Sequence, residues 1–323
     1  MGRDRENKQR RVLVTGGAGF IGSHVADAYQ KRGWSVTVVD NLSSGKRDNV
    51  PAGVEFVELD VRDPRLHGLF ERQGGFELVN HHAAQIDVRV SVRDPKLDAE
   101  INVMGLLNVL EAARRFEAGR VLFISSGGVV YGETDERPIG ERATKAPGSP
   151  YGVSKLVGEH YLRCYRLLYG LDYAALRYSN VFGPRQDPHG EAGVVAIFSQ
   201  RIREGEPITI FGDGEQTRDY VYVADVVAAN MLLSEAPLGT GLDLDERAFN
   251  VGTSRETSVN ELARALMEAA GREVEVERAL GRPGELAWNS LANEKLRKLG
   301  WEVEVDLRKG VERTYRSLAE AAE

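Results

Sequence analysis

The chain has 323 residues, 42% of them hydrophobic, enough for a sizeable core in one large domain or two interleaved ones. Its Asp and Glu (49) outnumber its Lys and Arg (42), and the net charge of −7 excludes a general nucleic-acid or anionic-membrane surface. No apolar run approaches the roughly 18–20 residues that cross a bilayer, the polar first ten residues carry no secretory pattern, and a single cysteine, Cys164, leaves no intramolecular disulfide and fits a reducing, cytoplasmic compartment.

Residues 12–15 read as a buried strand. Gly16, Gly19 and Gly22 follow at a spacing of three, and a helical pattern opens over 22–32. A side chain at those glycines would keep the backbone from a pyrophosphate, and the first N–H groups of the helix offer that anion a positive end. Gly17, Gly19 and Gly22 also fit the commoner G-x-G-x-x-G spacing, so the glycines alone choose no subclass. Asp40 ends the next apolar run, 36–40, about 20 residues further on, where a carboxylate accepts the ribose hydroxyls of an adenosine. The same charge repels a 2′-phosphate, which favours NAD over NADP; the nearby Lys46 and Arg47 are the residues that would meet such a phosphate in the opposite case.

Short runs rich in β-branched residues continue at 54–59, 78–81, 121–125 and 173–177, and helical patterns fall at 64–73, 99–116 and 151–169. Alternation of buried strands with helices predicts an α/β fold, a doubly wound Rossmann-type parallel sheet. After Asn180 the texture changes: a Gly/Pro loop at 183–190, helix at 194–203, strand at 208–211, glycine-acid turn at 212–214, strand at 219–223, helices at 225–233 and 258–270, strand at 274–277 and a last helical stretch. This predicts an NAD-binding domain over 11–180 and a smaller C-terminal α/β substrate lobe over 181–323, partly interleaved because 221–233 can return to the first. Cys164 lies in an apolar helical stretch, which predicts a buried structural thiol. The six histidines show no metal-ligand spacing, and no metal is expected.

Tyr151 and Lys155 are four apart and lie one above the other on a helix that Pro150 can start. An ammonium beside a phenol favours the phenolate, so Tyr151 becomes a candidate base for hydride chemistry on an alcohol, with Lys155 its activator. Alone the spacing is common; after a dinucleotide motif and a strand ending in Ser125-Ser126 it is specific.

Thr15-Gly-Gly-Ala-Gly-Phe-Ile-Gly-Ser-His24, Asp40-Asn41, Leu59-Asp60-Val61, His82-Ala-Ala84, Tyr131-Gly132, Tyr151-x-x-x-Lys155, Arg177-Tyr178-x-Asn180 and Arg218-Asp-Tyr220 together resemble the extended short-chain dehydrogenase/reductases, and within them the bacterial UDP-glucose 4-epimerases, over roughly residues 11–320. The resemblance implies NAD-dependent epimerisation at C4 of a UDP-hexose through a 4-keto sugar, in a cytoplasmic homodimer formed through helices near 99–115 and 151–169. It implies a cofactor site of Gly16, Gly19, Phe20, Ile21, Gly22, Asp40, Asn41, Ser44, Gly45, Asp60, Val61, Ala83, Ala84, Gln85, Asn102, Ser125, Tyr151, Lys155 and Tyr178, with Ser179 beside the nicotinamide. The UDP-sugar would meet Ser126, Tyr151, Asn180, Val194, Arg218 and Arg282, the arginines matching phosphate oxygens with a planar fork.

One departure stands out. The family often carries a serine where this chain has Gly127, so Ser126 or a water takes the contact to the reacting hydroxyl. Gly127-Gly128 also lacks the carboxylate of related dehydratases and decarboxylases. Alternatives are a UDP-uronic acid epimerase, with Arg89, Arg93 and Arg185 near the sugar, a UDP-N-acetylhexosamine epimerase, or a non-enzymatic NAD sensor, which could dispense with Tyr151 and Lys155. Aligned from one side Asn289 faces the sugar, and from the other Trp288 does; the bulkier residue would exclude an N-acetyl group.

Overall fold

The computed structural model describes residues 9–188, 193–281 and 286–320. In chain order the first half runs β1 (Arg11–Thr15), α1 (Phe20–Lys31), β2 (Ser35–Asp40), β3 (Glu55–Glu58), α2 (Arg65–Gln73), β4 (Leu78–His81), α3 (Val88–Arg93), α4 (Pro95–Ala99), α5 (Gly105–Arg115), β5 (Arg120–Ser126), α6 (Pro150–Tyr169) and β6 (Tyr173–Tyr178). The rest runs β7 (Asn180–Phe182), α7 (Val194–Glu204), β8 (Ile208–Phe211), β9 (Thr217–Arg218), β10 (Tyr220–Tyr222), α8 (Val223–Glu235), β11 (Ala248–Val251), β12 (Thr257–Ser258), α9 (Val259–Ala270), β13 (Val276–Ala279), α10 (Glu294–Arg297) and α11 (Leu307–Glu320).

Seven strands form the central sheet in the order β11-β6-β5-β4-β1-β2-β3. β1 pairs in parallel with β2 and with β4, β2 with β3, and β4 with β5. Strand order reverses between β1 and β4, and in such sheets ligands bind outside the carboxyl ends at that point. Both the glycine turn after β1 and Ala83–Gln85 after β4 lie there in the chain.

Two expectations need correction in detail. The helix expected over 99–116 is broken: α4 ends at Ala99, a π turn covers Glu100–Met104, and α5 follows. Such turns cluster at functional sites, and this one carries Asn102. Cys164 is exposed rather than buried. The buried stripe of α6 passes through Tyr151, Lys155, Gly158, Glu159, Leu162 and Tyr165, and position 164 falls off it. β11 was not foreseen; its four residues include the polar Asn250 and give no period.

The chain divides into two compact units, Met1–Ser125 with Ser149–Leu176 and Asn230–Ala248, and Ser126–Gly148 with Arg177–Ala229 and Phe249–Glu323. In the first, Leu13, Val79, Val121 and Phe123 of the sheet pack with Leu66, Leu69 and Phe70 of α2, Leu106, Val109 and Leu110 of α5, and Leu162 of α6. α6 is framed at both ends: Ser149 Oγ accepts the Gly152 N–H, Pro150 opens the first turn, and Gly170 closes it in the left-handed region. In the second unit β7 pairs with β10, β8 with β13 and β9 with β12, and Phe182 meets Tyr220 and Tyr222 edge to face. Among the described residues no helix is long and apolar enough to cross a membrane.

Candidate active site

The glycine turn divides its labour. Gly16 has φ +70°, and a Cβ there would lie 2.6 Å from the Ala83 nitrogen. At Gly22 a Cβ would lie 2.2 Å from the Gly16 carbonyl oxygen, so this glycine brings α1 against the end of β1. Gly19 differs: only the Gly16 oxygen lies near, at 3.2 Å, and as N-cap residue of α1 it leaves the helix without a side-chain cap. The open face and uncapped N-terminus fit a pyrophosphate.

Asp40 sits at the end of β2, buried, with Oδ2 accepting the Ala18 N–H at 3.0 Å and Oδ1 the Leu42 N–H at 2.8 Å. It therefore ties the glycine turn to the following loop, and its remaining lone pairs are the ones available to a ribose. Gly45 packs within 3.0 Å of both Ala18 and Asp40 by the same Cβ measure, and Ser44 beside it is exposed. Arg47 stacks on Phe56 at 4.4 Å. At the end expected for adenine, Asn41 Nδ2 donates to Asp60 at 3.0 Å, and Arg62 grips the same carboxylate with Nε and Nη2 at 2.9 and 2.8 Å. That grip pushes Asp60 down to about 2, so it stays ionised and fixed beside Val61. Arg62 had no sequence signal.

Tyr151 and Lys155 are both buried on α6. Lys155 Nζ donates to the Ile124 carbonyl at 3.0 Å and lies 5.7 Å from the Tyr151 ring. Burial pushes the ammonium down to about 8. One turn further, Glu159 is fully buried and accepts Ser125 Oγ at 2.5 Å. Successive turns of α6 thus hold two consecutive residues of β5. Gln85 and Asn102, both buried, bond each other: Asn102 Oδ1 accepts the Gln85 N–H at 2.9 Å and Asn102 Nδ2 returns to the Gln85 carbonyl at 2.9 Å.

In the second unit, the loop after β5 explains the missing serine. A Cβ on Gly127 would lie 2.4 Å from Leu291 Cδ1, and Leu291 is wholly buried. Leu291 is itself fixed, because its N–H donates to Asp219 at 3.2 Å and its neighbours Ser290 and Ala292 bond to either side of Ile139. Asp219, buried and pushed up by burial, also accepts from the Thr253 and Ser254 backbone; it anchors this segment, a role its place in the Arg-Asp-Tyr motif did not reveal. Gly127→Ser should therefore overpack the site and cost about 1–3 kcal/mol in chemical denaturation; equal stability of the variant and the parent would show that Leu291 does not exclude a side chain here. Ser126 is half-buried and its Oγ has no hydrogen-bond partner among the described residues. Asn289 is buried, with Nδ2 3.4 Å from the Gly127 carbonyl and Oδ1 unpartnered among the described residues, whereas Trp288 lies under the Arg137 guanidinium at 3.7 Å.

Asn180, Val194 and Arg218 come together around a cavity of about 410 Å³, lined also by Phe198, Phe211 and Tyr220. Arg218 Nη1 is braced by the Thr217 and Leu286 carbonyls at 2.7 and 2.9 Å. Val194 opens α7, whose N-cap Gly193 supplies no side chain. Arg282 lies outside the described residues. Tyr178 and Ser179 lie in the second unit at the end of β6, Ser179 with a buried Oγ that has no partner among the described residues. All other expected cofactor residues lie in the first unit.

A dinucleotide sheet with its Tyr and Lys one turn apart on the helix after the fifth strand is the architecture of the extended short-chain dehydrogenase/reductases. Residues 12–252 match the model of the NAD dependent epimerase/dehydratase family, and the chain belongs to that family. It is 45% identical to a UDP-glucose 4-epimerase of Mycolicibacterium smegmatis over 310 residues, 94% of this chain and 97% of that protein. Among solved structures it resembles the Thermotoga maritima UDP-glucose 4-epimerase with UDP-glucose (TM-score 0.92, 44% identity, 97% of this chain and 100% of that one). It also resembles the Thermus thermophilus UDP-glucose 4-epimerase in complex with NAD (TM-score 0.89, 45% identity, 96% and 99%).

Proposed function

We propose that this protein is an isomerase that interconverts UDP-glucose and UDP-galactose by NAD-dependent epimerisation at C4, through a 4-keto sugar. The observation that carries the reading is the buried Tyr151–Lys155 pair, because hydride loss from C4 requires a base for the 4-hydroxyl proton. Tyr151 takes that proton and later returns it; Lys155 binds the nicotinamide ribose and favours the phenolate. NAD supplies the reversible hydride acceptor. The glycine turn from Gly16 to Gly22, Asp40 and Asn41, Ser44 and Gly45, Asp60 and Val61, Ala83 to Gln85, Asn102, Ser125 and Tyr178 hold it. Asn180, Val194, Arg218 and Arg282 hold the nucleotide diphosphate. A grip on the nucleotide rather than on the hexose lets the ketone turn and receive hydride on its other face. Ser126, with its uncommitted hydroxyl, is the candidate contact to the reacting oxygen.

The uronate reading loses support from Arg89, whose guanidinium pairs with Asp87 at 2.8 Å. Of the two candidate residues for reading an N-acetyl group, Asn289 is the one beside Gly127. Incubation of the purified protein with UDP-galactose, without added cofactor, should yield UDP-glucose, and UDP-N-acetylgalactosamine in the same assay tests the wider range. No product even with added NAD would sink the reading.

The proposal includes a cytoplasmic homodimer. Val92 of α3, Met104 of the π turn and Val153 of α6 are 63%, 57% and 47% exposed, a set of apolar side chains that a second copy would cover. Light scattering at the mass of one chain would overturn the dimer.

A further inference from the structure

Lys155 keeps its charge where burial opposes it. Besides the Ile124 carbonyl it faces the rings of Phe123 and Tyr151, at 5.2 and 5.7 Å. From the end of β4 and the residue after it, it faces His81 and His82, both pushed down to about 3, chiefly by burial, and so neutral. Glu159, one turn along α6, is engaged by Ser125. The carboxylate that opposes burial at Lys155 is Asp98 of α4.

Asp98 is 1% exposed. Its Oδ1 accepts from Gln85 Nε2 at 2.9 Å and from Asn102 Nδ2 at 3.0 Å, and it forms no ion pair within 4.0 Å among the described residues. Asn102 Nδ2 also lies 3.3 Å from Ser154 Oγ, which donates to the Tyr151 carbonyl at 2.9 Å. The π turn places Asn102 in this chain of contacts, which runs from Asp98 to the backbone of Tyr151. A buried carboxylate held by neutral amides alone is costly, and the Lys155 ammonium is the opposite charge that it acts on.

We propose that Asp98 is a positioning residue of the reaction: its carboxylate fixes the Gln85–Asn102–Ser154 network beneath Tyr151 and is the counter-charge that keeps Lys155 protonated. The inference rests on the Tyr151–Lys155 couple performing the epimerisation. Both amide donors meet the same oxygen, so Asp98→Asn can keep both bonds through its carbonyl and lose only the charge. Asp98→Ala loses bonds and charge together.

The test is the pH dependence of kcat with UDP-galactose, together with the tyrosinate absorbance of each protein minus that of its Tyr151→Phe counterpart. An opposite charge nearby moves a pKa by about 1–3 units. Removing it lets Lys155 lose its proton at lower pH. Asp98→Asn should therefore move the alkaline limb down by at least about one unit, a loss of about tenfold in kcat at a fixed pH above it, with KM changed less than about twofold. Tyr151 should titrate at higher pH in the variant. A profile and titration that superimpose on the parent's would overturn the proposal, as would Asp98→Ala losing activity equally at every pH while Asp98→Asn is normal. A parent protein inactive at every pH would instead overturn the epimerase reading, with the Tyr151 titration still deciding the role of Asp98.

Discussion

Tyr151→Phe is expected to lose at least about 100-fold in turnover, the usual scale of a positioned acid–base group. The change keeps the ring in its buried place on α6 and removes only the ionisable oxygen. Stability should change little, and UDP-galactose should bind nearly as before, because the nucleotide carries most of the contacts. Steady-state kinetics and calorimetric titration separate the two quantities. Ser126→Ala in the same assay decides what replaces the serine absent at position 127. A strong loss there places Ser126 at the reacting hydroxyl, and near-normal turnover leaves that contact to water or backbone. Full activity of Tyr151→Phe would contradict the mechanism as a whole.

The second large effect lies in the glycine turn. Gly22→Ala would set a methyl 2.2 Å from a backbone oxygen, and backbone at the end of β1 has nowhere to go. α1 must lift away from the sheet, at a cost of about 1–3 kcal/mol, seen as a Tm lower by several degrees. The displaced helix N-terminus should also release NAD, so the protein would purify without it. Gly19→Ala is the informative contrast. Its methyl meets only one oxygen, at 3.2 Å, so stability should be nearly kept while NAD affinity falls, since this is the face left open for the pyrophosphate. Equal melting of Gly22→Ala and the parent would show that the helix is not packed as described.

Most of the sheet was legible because its central strands are buried and carry short apolar runs, as in Val12–Val14 of β1 and Val38-Val39 of β2. Glycine spacing, Asp40 and the Tyr151–Lys155 pair could be read because each is a local pattern. What escaped is long-range. β11 has four residues and no period. Arg62, Asp98 and Glu159 look like ordinary charged helix or loop residues until the fold buries them or brings a partner near. Leu291 could not be linked to Gly127, 164 positions earlier in the numbering, without coordinates. The continuous helix expected at 99–116 failed because a π turn has no compositional mark, and Cys164 because an apolar neighbourhood in sequence does not say which side of a helix faces the core.

The most direct measurement of the central claim uses UDP-galactose carrying deuterium at C4. Hydride that leaves C4 for a tightly held NAD and returns to the same sugar should stay with it. UDP-glucose should form with the deuterium retained at C4, without added NAD, from the protein as purified. Loss of the label to solvent, with product still formed, would show that C4 is inverted by proton abstraction and would contradict the hydride path assigned to Tyr151 and Lys155.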